Sequence, residues 1–92
     1  MTDKPKKNEQ AAAYLDVWIR SKDKVLFNGK ASVVSSNNDT GPFDILVGHA
    51  NIISLIYGYI YIDTGLPSQQ KFDLDRGVLY VMSNRVDAHV GV

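Results

Sequence analysis

From Tyr14 onward, apolar and polar residues alternate with a period of two. Leu15, Val17 and Ile19 alternate with Asp16, Trp18 and Arg20, which predicts a strand buried on one face. Ser21–Lys24 is a polar turn, and Val25–Phe27 is a short strand that stops at Asn28-Gly29, a pair favoured in tight hairpin turns. Lys30–Ser36 continues with Ala31 and Val33 on one face and Ser32 and Val34 on the other. The run from Ser35 to Pro42 has the composition of a loop. Phe43, Ile45 and Val47 then alternate with Asp44 and Leu46 up to a Gly48 turn. Asn51–Ile56 is dense in β-branched residues and reads as extended, and Tyr59–Ile62 alternates again after Gly58. Gln70–Leu74, Val78–Met82 and Arg85–Val90 complete the strands, with Gly77 and Ser83-Asn84 as the turns between them.

Short strands at regular spacing, with no helical period among them, predict an all-β sandwich or barrel. Residues 1–13 differ: Lys4, Lys6 and Lys7 surround Pro5, and no large apolar residue follows before Tyr14. They read as a flexible leader to a single domain over residues 14–92.

One row of side chains changes this picture. Tyr57, Tyr59 and Tyr61 fall at alternate positions, opposite Ile56, Ile60 and Ile62. If the isoleucines fill the inner face, the tyrosines form an outward stripe. Tyr is enriched at protein interfaces because it offers large area with a polar tip. Either a partner protein or cross-strand neighbours must cover them.

Composition narrows the function classes. The 92 residues carry ten Lys or Arg against ten Asp or Glu, so no basic footprint for nucleic acid exists. A domain of this size buries only about two-thirds of its unfolded surface. With no cysteine to staple it, it depends on its core or on a partner. The N-terminus has no apolar segment of secretory type, and no run approaches the roughly 20 apolar residues of a membrane span. Cytoplasmic residence is the resulting expectation.

The residues offer little for catalysis. His49 and His89 are the only histidines, and only Asp87, beside His89, stands at a metal-ligand offset from either. His49 lies in a Gly-His-Ala turn, bonded to local backbone or exposed as a contact residue. Asp73 and Asp75, two apart and flanked by Lys71 and Arg76, read as a solvated, charge-balanced face. There is no nucleophile elbow, P-loop or dinucleotide fingerprint. No cofactor and no enzymatic activity are expected.

The run Gly41-Pro-Phe-Asp-Ile-Leu-Val-Gly-His-Ala50 carries more information than these scattered groups. With Phe27-Asn-Gly29, Val33-Val34, Ile52-Ile-Ser54, Gly58, Gly77-Val-Leu-Tyr-Val81 and Asn84-Arg-Val86 in order around it, the chain resembles the amino-terminal β-domain of the F-type ATP synthase epsilon subunit. The resemblance covers about residues 15–90. Val47 stands where the family usually has Pro, and Pro42 where it has a small polar or acidic residue.

The resemblance implies a two-sheet β-sandwich of about eight to ten short strands, in a non-catalytic subunit of the rotating central stalk. It also implies a link from the gamma subunit to the c-ring that couples rotation to ATP synthesis, on the inner face of the energy-coupling membrane and peripheral to it. The ring-facing loop would then comprise Gly41, Phe43, Ile45, Leu46, Gly48, His49 and Ala50. Tyr57, Tyr59 and Tyr61 are the candidate gamma-facing residues, on physical grounds and not by motif. Many relatives continue into a helical hairpin after this domain, so these residues alone are not expected to bind nucleotide. The alternative reading is a stand-alone β-sandwich adaptor for a protein partner.

Overall fold

The structure, a computed structural model, describes residues 13–91. They form seven strands: β1 (Leu15–Arg20), β2 (Val25–Ala31), β3 (Val33–Asn38), β4 (Gly41–Leu46), β5 (Ile52–Ile62), β6 (Gln70–Met82) and β7 (Arg85–Val90). All seven join one hydrogen-bonded sheet in the order β2-β1-β7-β6-β5-β3-β4. Every neighbouring pair is antiparallel except β1 with β7. The all-β expectation therefore holds, with seven strands in one continuous sheet where eight to ten in two sheets were expected.

The sheet folds over on itself. β2 and β6 are separated by two strands in the sheet order, yet the Phe27 and Phe72 rings meet edge-on at 5.9 Å. One apolar cluster runs from Leu15, Val17 and Ile19 on β1 to Ile45 on β4, taking in Ile56, Ile60 and Ile62 on β5 and Leu79 on β6. Residues at both ends of a flat sheet could not share one core.

The two long strands make the fold possible. The second half of β5 pairs with β3 and with the first half of β6. The second half of β6 pairs with β7 and with the first half of β5. Two wings result, joined through β5 and β6: one carries β3 and β4, the other β7, β1 and β2. The bend lies where the register slips between Tyr57 and Gly58, because Gly58 faces Leu74 while Tyr57 faces Arg76. Asp75 is the extra residue of a β-bulge, a device that bends a strand and tightens its twist. Gly58 has φ +87°, a conformation glycine adopts without steric penalty.

Several local signals yielded to these tertiary pairings. Asn28-Gly29 is not a hairpin turn but lies inside β2, opposite Trp18 and Val17. Asn28 Nδ2 donates to the Val17 carbonyl at 3.3 Å, so a cross-strand bond uses the side chain that the turn signal relied on. The turn falls at Ser21–Lys24, where Ser21 N donates to Lys24 O at 2.8 Å. The run Ser35–Pro42 is not a long loop; it shrinks to the Asp39-Thr40 turn, with strand on both sides. Its serines are tolerated inside β3 because Ser36 Oγ donates to the Tyr59 carbonyl and Ser35 Oγ to Asp44. The alternation also changes phase at Ser32, leaving Val34 buried and Val33 half-buried. Gly77 sits within β6 instead of ending a strand.

Candidate partner-docking surfaces

The bend gives the molecule two outer faces and a loop-bearing end. On the β3–β4 wing the outward row is the tyrosine stripe. Tyr57, Tyr59 and Tyr61 are half-buried, while Ile56, Ile60 and Ile62 opposite them are fully buried, as the alternation requires. The tyrosines already have neighbours within the chain. Tyr59 Oη donates to the Ser36 carbonyl at 3.2 Å. Its ring lies 5.3 Å from that of Tyr61, and Lys71 Nζ sits 5.7 Å from the Tyr61 ring centre.

The outer face of the other wing is barer. Ile53 and Tyr80 are direct cross-strand partners, 73% and 42% exposed. Leu55 and Met82 extend the row at 55% and 65% exposure. These side chains arise from a pattern visible in the sequence: β5 and β6 carry unbroken apolar runs through Ile52-Ile53 and Val78–Met82, so both strand faces are apolar there. An unbroken apolar run has no period-two signal to tell its inner face from its outer one, so these residues do not stand out in the sequence. Tyr80 and Met82 form a ridge between two hollows. The first, 370 Å³, is lined by Asn51, Ile52, Ile53 and Val81 besides the ridge; the second, 350 Å³, by Arg85, Asp87 and His89.

Beside the second hollow lies a charged cluster. Asp87 is shared by Arg20 at 3.1 Å, Arg85 at 3.5 Å and His89 at 3.9 Å. Both guanidinium groups lie over Trp18, at 4.8 Å for Arg20 and 5.8 Å for Arg85. Asp87 and His89 thus share one face, as read from the sequence. Asp73 and Asp75 are both exposed, alternating with half-buried Phe72 and Leu74, and Lys71 pairs with Asp73 at 3.4 Å. Among the described residues, no three metal-ligating side chains gather.

At the end of the molecule, the Gly41–Ala50 segment divides by burial. Ile45 is fully buried and Phe43 packs against the core. Gly41 is half-buried and begins β4 at φ +116°. Leu46 is 56% exposed, and Val47, Gly48 and Ala50 are also exposed. His49 is half-buried; its Nδ1 lies 2.7 Å from the Ala50 carbonyl, and its N–H donates to Leu46 O at 3.0 Å. The local backbone bond expected of a turn histidine is present, and part of the side chain stays accessible.

The family model for the ATP synthase delta/epsilon chain β-sandwich domain matches residues 14–90. The chain belongs to that family. Its delta/epsilon members are non-catalytic stalk subunits of ATP synthase. Among solved structures, the chain resembles a subunit of the Euglena gracilis mitochondrial ATP synthase, solved as OSCP/F1/c-ring in rotational state 1, with TM-score 0.77 and 14% identity. It also resembles a subunit of the Tetrahymena thermophila mitochondrial ATP synthase central stalk/c-ring, with TM-score 0.70 and 15% identity. Each alignment covers 85% of this chain, but only 51% of the first relative and 63% of the second. Identity this low establishes a shared fold. Comparison with curated proteins returned no match.

Proposed function

We propose that this domain is a rotor part of a proton-translocating ATP synthase, linking the gamma subunit to the c-ring and coupling rotation to ATP synthesis without chemistry of its own. The observation that carries this is the bare row Ile53, Leu55, Tyr80 and Met82 on a delta/epsilon domain. A small soluble domain rarely leaves neighbouring large apolar side chains uncovered unless a partner covers them.

This row is our first choice for the gamma face. The stripe of Tyr57, Tyr59 and Tyr61 is the second, because part of its area and one hydroxyl are already engaged within the chain. Leu46, Gly48, His49 and Ala50, with Val47, are assigned to the ring contact, and Gly41, Phe43 and Ile45 anchor that loop to the core. In this reading the folded sheet works as a two-layered sandwich, each wing offering its outer side, and the protein stays peripheral on the inner, cytoplasmic side of the membrane.

The test is capture of purified gamma subunit and c-ring by the full chain. Ile53→Glu with Met82→Lys should reduce gamma capture at least about tenfold, since interface centres concentrate binding energy in a few apolar anchors. Tyr59→Ser with Tyr61→Ser should reduce it less, and Leu46→Asp should act on ring capture. Equal capture by all variants, or none by the wild type, would leave the stand-alone adaptor as the better reading.

A further inference from the structure

The exposed loop between β4 and β5 is fastened from outside itself. Gly48 N donates to Oδ1 of Asn84 at 2.7 Å, across 36 residues of sequence. In the opposite direction, Ser83 N donates to Oδ1 of Asn51 at 3.0 Å. Each asparagine reaches into the other's segment: Asn84 from the β6–β7 turn into the loop, Asn51 from the loop into the turn. The backbone carbonyl of Asn84 accepts a third bond, from Asp16 N at 2.8 Å, at the head of β1. The two side-chain bonds lie outside the ladder of the sheet, whereas the third begins the parallel pairing of β1 with β7.

The turn does not itself require this side chain. Ser83 and Asn84 have φ of 49° and 65°, and Met82 pairs with Arg85, giving a two-residue hairpin turn with positive φ at both positions. Glycine suits the second position of such a turn at least as well as asparagine. What asparagine adds is an acceptor oxygen, and that oxygen holds Gly48. Gly48 itself has φ +87° and lies beside exposed Leu46 and Val47, so without a bond from outside the loop would have many conformations to lose on docking.

We propose that Asn84 and Asn51 are positioning residues, forming a reciprocal clasp that holds the Leu46–Ala50 loop in its docking shape. The clasp also makes the loop one body with β6, the strand that carries Tyr80 and Met82. This rests on the reading of the loop as a ring contact and deepens it: force applied at the loop passes through the turn into β6, and the gamma-facing row moves with it. A loop tethered only at its own two ends would bend before transmitting load.

The chemistry of position 84 separates the clasp from the fold. Asn84→Gly keeps the turn and removes the acceptor; Asn84→Asp keeps an acceptor at the same place. Amide hydrogen exchange is read by NMR on the full chain, with Gly48 and Ser83 as reporters and Ile56 and Leu79 as core references. In Asn84→Gly, exchange at Gly48 should rise about five- to tenfold, the equivalent of one hydrogen bond, while the core references stay unchanged. Asn84→Asp should return Gly48 to within about twofold of the wild type. Capture of purified c-ring should fall in Asn84→Gly and recover in Asn84→Asp.

Unchanged exchange at Gly48 in Asn84→Gly overturns the clasp. Faster exchange with undiminished ring capture, while Leu46→Asp abolishes capture, overturns the positioning role and leaves the docking reading standing. If the wild type captures no ring, the docking reading falls, the link to it falls with it, and the exchange data alone decide whether the clasp exists.

Discussion

Gly77 and Gly58 flank the register slip between β5 and β6, opposite Ile56 and Leu74 respectively, and are glycine for different reasons. A Cβ built on Gly77 would lie 2.6 Å from the His89 carbonyl oxygen and 3.2 Å from Val90 Cα, both backbone atoms of β7 that cannot swing away. A Cβ on Gly58 would meet nothing within 4 Å, but its φ of +87° disfavours an L side chain. Gly77→Ala should therefore cost about 1–3 kcal/mol through overpacking, and Gly58→Ala about 1–2 kcal/mol through backbone strain. Asparagine separates the two mechanisms, since it tolerates positive φ better than alanine. Gly58→Asn should be milder than Gly58→Ala, whereas Gly77→Asn should be at least as harmful as Gly77→Ala. Urea unfolding of the four variants checks the order, and equal effects of Ala and Asn at both sites would refute it. Both glycines were visible in the sequence, but the close approach of β7 to Gly77 was not. That is why Gly77 read as a turn.

At the scale of elements, the alternation carried most of the information. It placed Leu15, Val17 and Ile19 in the core, and Ile56, Ile60 and Ile62 with them, because parity along a strand is a local property. What it could not show is that two predicted strands were one. β6 runs unbroken from Gln70 to Met82, and its inward residues shift from Phe72 and Leu74 to Gly77, Leu79 and Val81 across the bulge at Asp75. Deleting Asp75 would leave a regular alternation from Phe72 to Val81. The strand would pair without a bulge and lose the bend that brings Phe72 onto Phe27. We expect this deletion to lower stability by about 2 kcal/mol or more, in the range of other disrupted cores. It should also weaken the near-ultraviolet aromatic signal, although every apolar residue is kept. A deletion variant as stable as the wild type would mean that the bulge is incidental to the folding over of the sheet.

For the molecule as a whole, balanced charge and a bare apolar row act together. Ten basic residues offset ten acidic ones, so little net repulsion opposes contact between copies. Ile53, Leu55, Tyr80 and Met82 then provide a surface for self-association whenever the proper partner is missing. The isolated chain should show concentration-dependent association in sedimentation velocity, and Ile53→Asp with Met82→Lys should abolish it. Because these side chains are more than half exposed, the double variant should unfold within about 0.5 kcal/mol of the wild type, as surface changes usually do. Association that persists in the double variant would move attention to the edges at β2 and β4, which among the described residues pair on one side only.

The sequence by itself determined the all-β class, the inward faces of the strands and the run from Gly41 to Ala50, because each depends on neighbours a few residues apart. The tertiary structure decided the rest. It merged predicted strands around the Asp75 bulge, absorbed Asn28-Gly29 into a ladder and folded one sheet into two wings. It also left the aliphatic row barer than the tyrosine stripe and joined Asn84 to Gly48. Those outcomes rest on contacts between residues tens of positions apart, which local pattern does not encode.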